Sequence, residues 1–224
     1  MEIPPRFGEE FLYWFRKRTE EAWAGGYPRQ RWLSGLTDEE IAGIEQTWEI
    51  RFPPDYRLFL RLLHAVGEEM SADTRSRKRL VPVSKSKIVY NWLLDTKDLR
   101  RMFAWPYDGL AFDLGNADLW LPGWGERPST EDARRKGLRE AISSAPRLIP
   151  ITGHRYLLAE PLRAGNPVLS VYGLDIIIYG ADLRRFLLIE FAHLLGIDRD
   201  RILRESMETA SRLADIPFWG EVAT

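Results

Sequence analysis

The stretch that decides the fold is RLIPITGHRYLLAEPLRAGNPVLSVYGLDIIIY, residues 147–179. Four short runs within it, 147–151, 155–157, 168–171 and 175–179, are rich in branched or aromatic residues and are bounded by glycine or proline. Such runs are typical of β-strands separated by turns. We therefore predict four strands in this part of the chain.

Helices are predicted before these strands. Residues 7–23 place apolar side chains at helical spacing between charges, which indicates an amphipathic first helix. In the second helix, Thr37 is placed to accept the Glu40 backbone N–H while the Glu40 side chain reaches back, the pattern of a capping box. We expect this helix to continue to about Trp48.

A third helix is predicted from Pro54 to about Val66. Proline suits the first turn of a helix, and the apolar residues that follow keep the i, i+3, i+4 spacing of a buried face. We expect four of them to be buried: Tyr56, Phe59, Leu60 and Leu63.

The remaining elements are predicted from shorter patterns. They are strands at 80–83 and 88–90, a helix over about 94–103, a hairpin of 109–113 with 118–121, a helix from 129 to 143, and closing helices at 181–195 and 198–213. Helices thus cluster at both ends and strands in the middle. The sequence predicts an α+β fold, with one mostly antiparallel central sheet flanked by N-terminal and C-terminal helices. No linker divides the chain, so we expect one domain over 1–224.

Composition excludes several classes of protein. The 224 residues include no cysteine, which removes disulfides and thiolate metal sites. The 32 basic and 33 acidic residues leave a net charge of −1, so the protein has no overall positive potential that would attract nucleic acid. The longest uncharged run, 164–174, is too short to span a membrane. We expect a cytoplasmic protein that binds neither nucleic acid directly nor a membrane.

The chain carries no familiar catalytic motif. It lacks a glycine-rich phosphate loop, a G-x-S-x-G nucleophile motif and an H-E-x-x-H zinc motif. The histidines, His64, His154 and His193, are far apart, and we expect His64 and His193 to act as cations at helix C-termini. We therefore predict no metal, no organic cofactor and no catalytic residues, hence not an enzyme.

One alternative is a hydrolase acting on a polar substrate. Asp113, Asp118 and Asp175 lie near aromatic residues, as in sugar-cleaving clefts, but the sequence does not give the distance between their carboxyl groups. Aspartates beside glycine and asparagine are also common in turns. Both interpretations stay open here.

The candidate partner-binding residues are Trp120, Trp124, Arg155 and Asp175. The tryptophans suit either core packing or an exposed interface. Arg155 and Asp175, on strands predicted to be neighbours, suit a binding site, a cross-strand ion pair or the capping of nearby turns. The basic run Arg75–Arg79 is predicted to be a mobile surface loop, with a basic contact patch as the alternative.

The chain resembles the SUKH superfamily, which includes the fungal cell-wall-assembly regulators of the Smi/Knr type. The resemblance covers roughly Leu33 to Phe191 and rests on several segments: GLTDEEI (35–41), FPPDYRLFL (52–60), WP (105–106), GLAFD (109–113), WGERP (124–128), LIPI (148–151), HRY (154–156), NPVLSV (166–171) and DIIIYG (175–180). Ala65-Val66-Gly67 and Gly173-Leu174 depart from the usual family pattern.

The resemblance implies a non-enzymatic protein-binding domain. Many bacterial members are thought to be immunity proteins that neutralise toxins, often nucleases, delivered between competing cells. Fungal members are interaction scaffolds. An immunity protein that binds a toxin domain is therefore our leading hypothesis, with a scaffold or regulatory role as the alternative.

Overall fold

The computed structural model of the protein describes residues 2–26, 29–70, 79–82, 88–117, 120–210 and 212–223. In these ranges the α-helices are α1 (Glu9–Trp23), α2 (Asp38–Trp48), α3 (Pro54–Leu62), α4 (Thr96–Ala117), α5 (Glu131–Ser143), α6 (Leu183–Glu190), α7 (Ala192–Leu195), α8 (Arg199–Thr209) and α9 (Trp219–Val222). The strands are β1 (Arg29–Trp32), β2 (Val66–Met70), β3 (Arg79–Pro82), β4 (Leu148–Thr152), β5 (Arg155–Leu158), β6 (Val168–Tyr172) and β7 (Asp175–Gly180).

The α+β class and the antiparallel pairing are confirmed, as are the four strands of residues 147–179. The described strands form two sheets, however, where we expected one. The first has the order β1-β2-β3 and the second the order β4-β5-β6-β7. The buried side chains around both sheets belong to one continuous core.

An aromatic cluster joins the first sheet to helices from both ends of the chain. Trp32 is almost fully buried, and its indole Nε1 donates to the Thr19 hydroxyl at 2.8 Å. The Phe191 ring lies 4.9 Å from that of Phe15, edge to face, and 6.0 Å from that of Trp32. Phe59 packs on Trp32 from α3. The N-terminal helices are thus packed around residues that lie far along the chain.

The capping box is confirmed, because Thr37 Oγ1 accepts from the Glu40 N–H at 3.1 Å and the Glu40 carboxylate accepts from the Thr37 N–H at 2.8 Å. The four apolar residues that we expected to be buried on the third helix are each at most 1% exposed. Helix α3 nevertheless ends at Leu62, and Val66 begins β2. The chain turns at His64, whose φ of 52° is incompatible with a continuing helix.

The expected cationic role of His64 is wrong. Its side chain is 3% exposed, and burial lowers the pKa to about 4, so the imidazole is neutral near neutral pH. His193 does lie in the last turn of α7 and is exposed.

The predicted hairpin of 109–113 with 118–121 is wrong. Residues 96–117 form the single helix α4, which continues through Pro106. Proline in a helix interior costs about 3 kcal/mol. Buried residues at helical spacing on both sides of Pro106 offset that cost, among them Leu99, Met102, Leu110 and Leu114. The run 88–90 is not a strand either, although the Tyr90 N–H donates to the Ile151 carbonyl at the edge of β4.

Helix α4 packs closely on the turn that joins β6 to β7. Gly173 has a φ of +59°, and a Cβ on Gly109 would lie 3.1 Å from the Gly173 nitrogen. The Asp113 carboxylate accepts the Leu174 N–H at 2.8 Å. Glycine at two facing positions therefore lets a helix and a hairpin turn meet through their backbones.

The C-terminal helices are shorter than expected. The predicted helix 181–195 is divided at Phe191 into α6 and α7, and α8 ends at Thr209. The run Arg75–Arg79 lies outside the described residues except for the backbone of Arg79, in β3. Of the helices that the structure describes, none has both the length and the apolar content needed to cross a lipid bilayer.

Candidate functional site

Trp120 and Trp124 form one cluster beside α5. Their rings lie 5.3 Å apart and nearly perpendicular, and the Trp120 Nε1 donates to the Gly125 carbonyl at 3.1 Å. A 3₁₀ turn at 122–124 and the positive φ of Gly125 hold both residues in this arrangement. Trp120 also crosses α5 at Gly137, where a Cβ would lie 2.8 Å from the ring.

The second wall of the cluster comes from the C-terminal segment. The Phe218 ring is stacked on Trp124, with centroids 5.7 Å apart and an interplanar angle of 9°. Phe218 has a φ of 64° and immediately precedes α9. The Trp219 Nε1 donates to the Pro146 carbonyl at 2.8 Å, which fixes α9 against the chain entering β4.

A groove of about 380 Å³ opens between Trp124, Phe218 and one side of α5. We call it the tryptophan groove. The α5 side chains that line it follow helical spacing, and two exposed carboxylates, Glu140 and Glu221, lie on its walls. Glu221 Oε2 would lie 3.4 Å from a Cβ at Gly123, so this carboxylate sits over the 3₁₀ turn.

The charge of the groove is negative. Within the described residues its lining contains no Lys or Arg. Lys136 approaches Glu140 to 3.8 Å from outside, but both side chains are more than two-thirds exposed, and such a pair is worth little in water. The buried Trp124 Nε1 has no acceptor among the described residues. The groove therefore offers aromatic faces and two carboxylates.

This combination suits a cationic side chain. An Arg or Lys head group is attracted to the face of a tryptophan ring, and carboxylates beside the ring add charge-assisted hydrogen bonds. The arrangement therefore fits a basic segment of another protein.

Arg155 and Asp175 do not form the cross-strand ion pair that was one of our interpretations, because β6 lies between β5 and β7. The Arg155 Nη1 donates to the Ser170 hydroxyl at 2.6 Å, and its guanidinium carbon lies 3.9 Å from the centre of the Tyr179 ring. Asp175 is exposed at the start of β7. Among the described residues, no hydrogen bond or ring contact joins either residue to the tryptophan pair.

Near Arg155, His154 packs edge to face against the exposed Tyr172, at 5.9 Å. Burial, followed by the charge of Arg155, lowers the pKa of His154.

Two carboxylates of the hydrolase alternative, Asp113 and Asp175, lie at the turn that joins β6 to β7, where Asp113 accepts the Leu174 N–H and Asp175 is the next residue along the chain. Asp118 lies outside the described residues. No group of three or more His, Asp or Glu side chains in the described ranges is placed to hold a metal ion. The absence of a cofactor and of catalysis stays a prediction.

Sequence reasoning missed Phe218, Glu140 and Glu221. Phe218 lies more than ninety residues from Trp124, and no local pattern relates the two. Comparisons of the chain with protein-family models, with curated proteins and with solved structures found no match. The resemblance to the SUKH superfamily therefore rests on the sequence segments quoted above.

Proposed function

We propose that this protein is a non-enzymatic binding domain of SUKH type, and that it acts as a cytoplasmic immunity protein that neutralises a bacterial toxin domain by direct binding. The observation that carries the proposal is the tryptophan groove, in which Trp124 is stacked on Phe218 between the carboxylates of Glu140 and Glu221. The sequence resemblance supplies the class of partner.

The charge of the groove favours a basic partner. A toxin that cleaves nucleic acid needs Lys or Arg side chains to bind the phosphate backbone. A carboxylate-lined groove on the immunity protein is complementary to those same side chains. Binding them would cover the surface that the toxin needs for its substrate, so inhibition follows from occlusion and requires no chemistry on the immunity protein.

The groove would be the anchor of a larger interface. A stable protein complex buries about 800 Å² on each partner, which exceeds one groove, and a few central aromatic or Arg contacts dominate its binding energy. Trp120 does not line the groove, but its half-buried ring lies 5.3 Å from that of Trp124, so it adds apolar area beside the anchor.

The test uses the protein encoded by the gene beside that of this chain. We expect its expression in a test bacterium to arrest growth, and co-expression of this chain to relieve the arrest. Replacing both groove carboxylates (Glu140→Gln with Glu221→Gln) should raise the dissociation constant of the purified complex at least about 30-fold, equivalent to about 2 kcal/mol. Glu208→Gln, exposed on α8 outside the groove, is the matched control.

Each other outcome contradicts part of the proposal. A harmless neighbouring protein, or arrest that this chain does not relieve, excludes the immunity role and favours the scaffold alternative. Full protection and unchanged affinity from the groove variant would mean that the toxin binds another surface.

A further inference from the structure

Strand β7 is an edge of the four-stranded sheet. Among the described residues its one strand neighbour is β6, and the sheet order places no strand beyond it. At the opposite edge, the Ile151 carbonyl of β4 accepts the Tyr90 N–H. Within the described residues, the backbone of 175–179 makes no hydrogen bond outside its pairing with β6. The backbone groups on the outer edge of β7 are therefore unpaired in the described part of the chain.

The register of the β6–β7 hairpin decides which groups point outward. The turn has two residues, Gly173 and Leu174, and Tyr172 lies opposite Asp175. In such a hairpin the pair that closes the turn exchanges both backbone hydrogen bonds, and every second pair along the strands does the same. The backbones of Asp175 and Ile177 thus face β6, and those of Ile176 and Ile178 face outward.

Proteins guard exposed strand edges with Lys, Pro, bulges or inward charges. A bulge at Tyr179 lies at the C-terminal end of β7, because Leu169 pairs with Ile178 and Val168 pairs with Gly180. The three residues before it, Ile176–Ile178, contain no Lys, Pro or charge, and Ile177 is 50% exposed on the open face of the sheet.

We propose that β7 pairs with β7 of a second copy of this chain, antiparallel and centred on a two-fold axis at Ile177. In this register Ile176 faces Ile178 of the other copy, so all outward backbone groups of both residues are bonded. The two exposed Ile177 side chains meet at the axis, and the two four-stranded sheets become one sheet of eight strands.

Charge complementarity supports a second copy as the occupant. The same register places Asp175 opposite Tyr179 of the other chain, and Tyr179 carries the Arg155 guanidinium on its ring at 3.9 Å. Among the described residues, Arg155 donates from Nη1 to the Ser170 hydroxyl and forms no ion pair with a carboxylate. Asp175 of a second copy would supply the missing anion at both ends of the interface.

The test is sedimentation equilibrium of the full chain over a concentration series. We expect a dimer for the wild type. Ile177→Lys should raise the dissociation constant at least about tenfold, because like charges then face each other directly. Ile177→Glu should do the same, and a mixture of the Lys and Glu variants should restore the dimer, because only a self-facing position pairs opposite charges in this way.

The control is Leu94→Lys, which adds the same charge at a residue that is 63% exposed and lies away from β7. Circular dichroism and thermal unfolding check that each variant is folded. If Ile177→Lys fails to fold, Asp175→Lys at the exposed strand end replaces it and should weaken the dimer alike. A monomeric wild type, a dimer indifferent to these changes, or no recovery on mixing overturns the proposal. None of these outcomes bears on toxin binding, which uses the tryptophan groove.

Discussion

The imidazole of His64 accepts the backbone N–H of Trp92 through Nε2, at 3.2 Å and out of contact with solvent. The bond exists only while that nitrogen carries no proton. Its neighbour Trp92 donates from Nε1 to the Tyr56 hydroxyl at 3.0 Å. A neutral histidine therefore connects the end of α3 to the segment that precedes α4.

This bond predicts a loss of stability in acid. The pKa of His64 is about 4 in the folded protein against about 6.5 when unfolded, so the unfolded chain alone binds the proton as the pH falls through that window. The free energy of unfolding should fall by about 3 kcal/mol between pH 6.5 and 4 on this account. Urea unfolding at a series of pH values measures it.

The control is His64→Asn, which tolerates the left-handed backbone and does not titrate. We expect the variant to be less stable than the wild type at pH 7. Its free energy of unfolding should change less with pH. Burial raises the pKa of Asp55, so protonation of this carboxyl in acid increases the stability of the folded state, opposite to the effect of His64. Asp55 is present in both proteins, so its contribution cancels when they are compared. Equal acid sensitivity in both proteins would contradict the assignment.

A second prediction concerns the core of α3. Leu60 is fully buried, so Leu60→Ala removes buried methyl groups and leaves a cavity. We expect a loss of about 2 to 5 kcal/mol in the free energy of unfolding. Leu94→Ala, at a mostly exposed leucine, should cost far less. A loss below about 1 kcal/mol at Leu60 would mean that this core is loosely packed.

A third prediction concerns the contact of α4 with the β6–β7 turn. A Cβ at Gly173 would overlap the Asp113 carboxylate and would also strain the positive φ. Gly173→Ala should therefore be destabilising. In an Asp113→Ala background the overlap is gone and only the backbone strain is left. Gly173→Ala should therefore lower the free energy of unfolding by less in that background than in the wild type. Additive losses in the double variant would mean that the two residues do not interact.

A fourth prediction compares two glycines within helices, Gly43 in α2 and Gly137 in α5, to separate helix propensity from packing. Gly43 in α2 has open space where a Cβ would stand, so Gly43→Ala should stabilise the protein by about 1 kcal/mol. Gly137→Ala gains the same propensity but pushes against Trp120. We expect a smaller gain or a loss, together with a changed near-ultraviolet circular dichroism spectrum. Equal gains at both positions would show that Trp120 moves freely.

Local patterns predicted the elements that depend on local physics. The capping residues, the apolar spacing of α3 and the branched runs of residues 147–179 each act within a few residues. The first part of α4 was predicted as a helix over about 94–103, but its continuation to Ala117 was missed because Pro106 and Gly109 are strong breakers by local rules. Its buried face, however, continues from Leu99 to Leu114 at helical spacing, and this longer period was the signal to follow.

Other features have no local signal. Strand β1, with the sequence RQRW, has neither alternation nor branched residues, and it exists because β2 pairs with it. The division into two sheets depends on which strands meet. In the tryptophan groove, Trp124 was a candidate from sequence, but its stacking partner Phe218 is brought to it by the anchoring of α9, a tertiary effect.

The contact of Phe15 and Trp32 with Phe191 has a consequence for synthesis on the ribosome. The N-terminal helix and the first strand leave the exit tunnel well over a hundred residues before the ring that completes their cluster. During that interval their aromatic side chains lack a native cover and are exposed to other nascent chains. We therefore expect nascent chains that end before Phe191 to expose apolar surface that chaperones can bind.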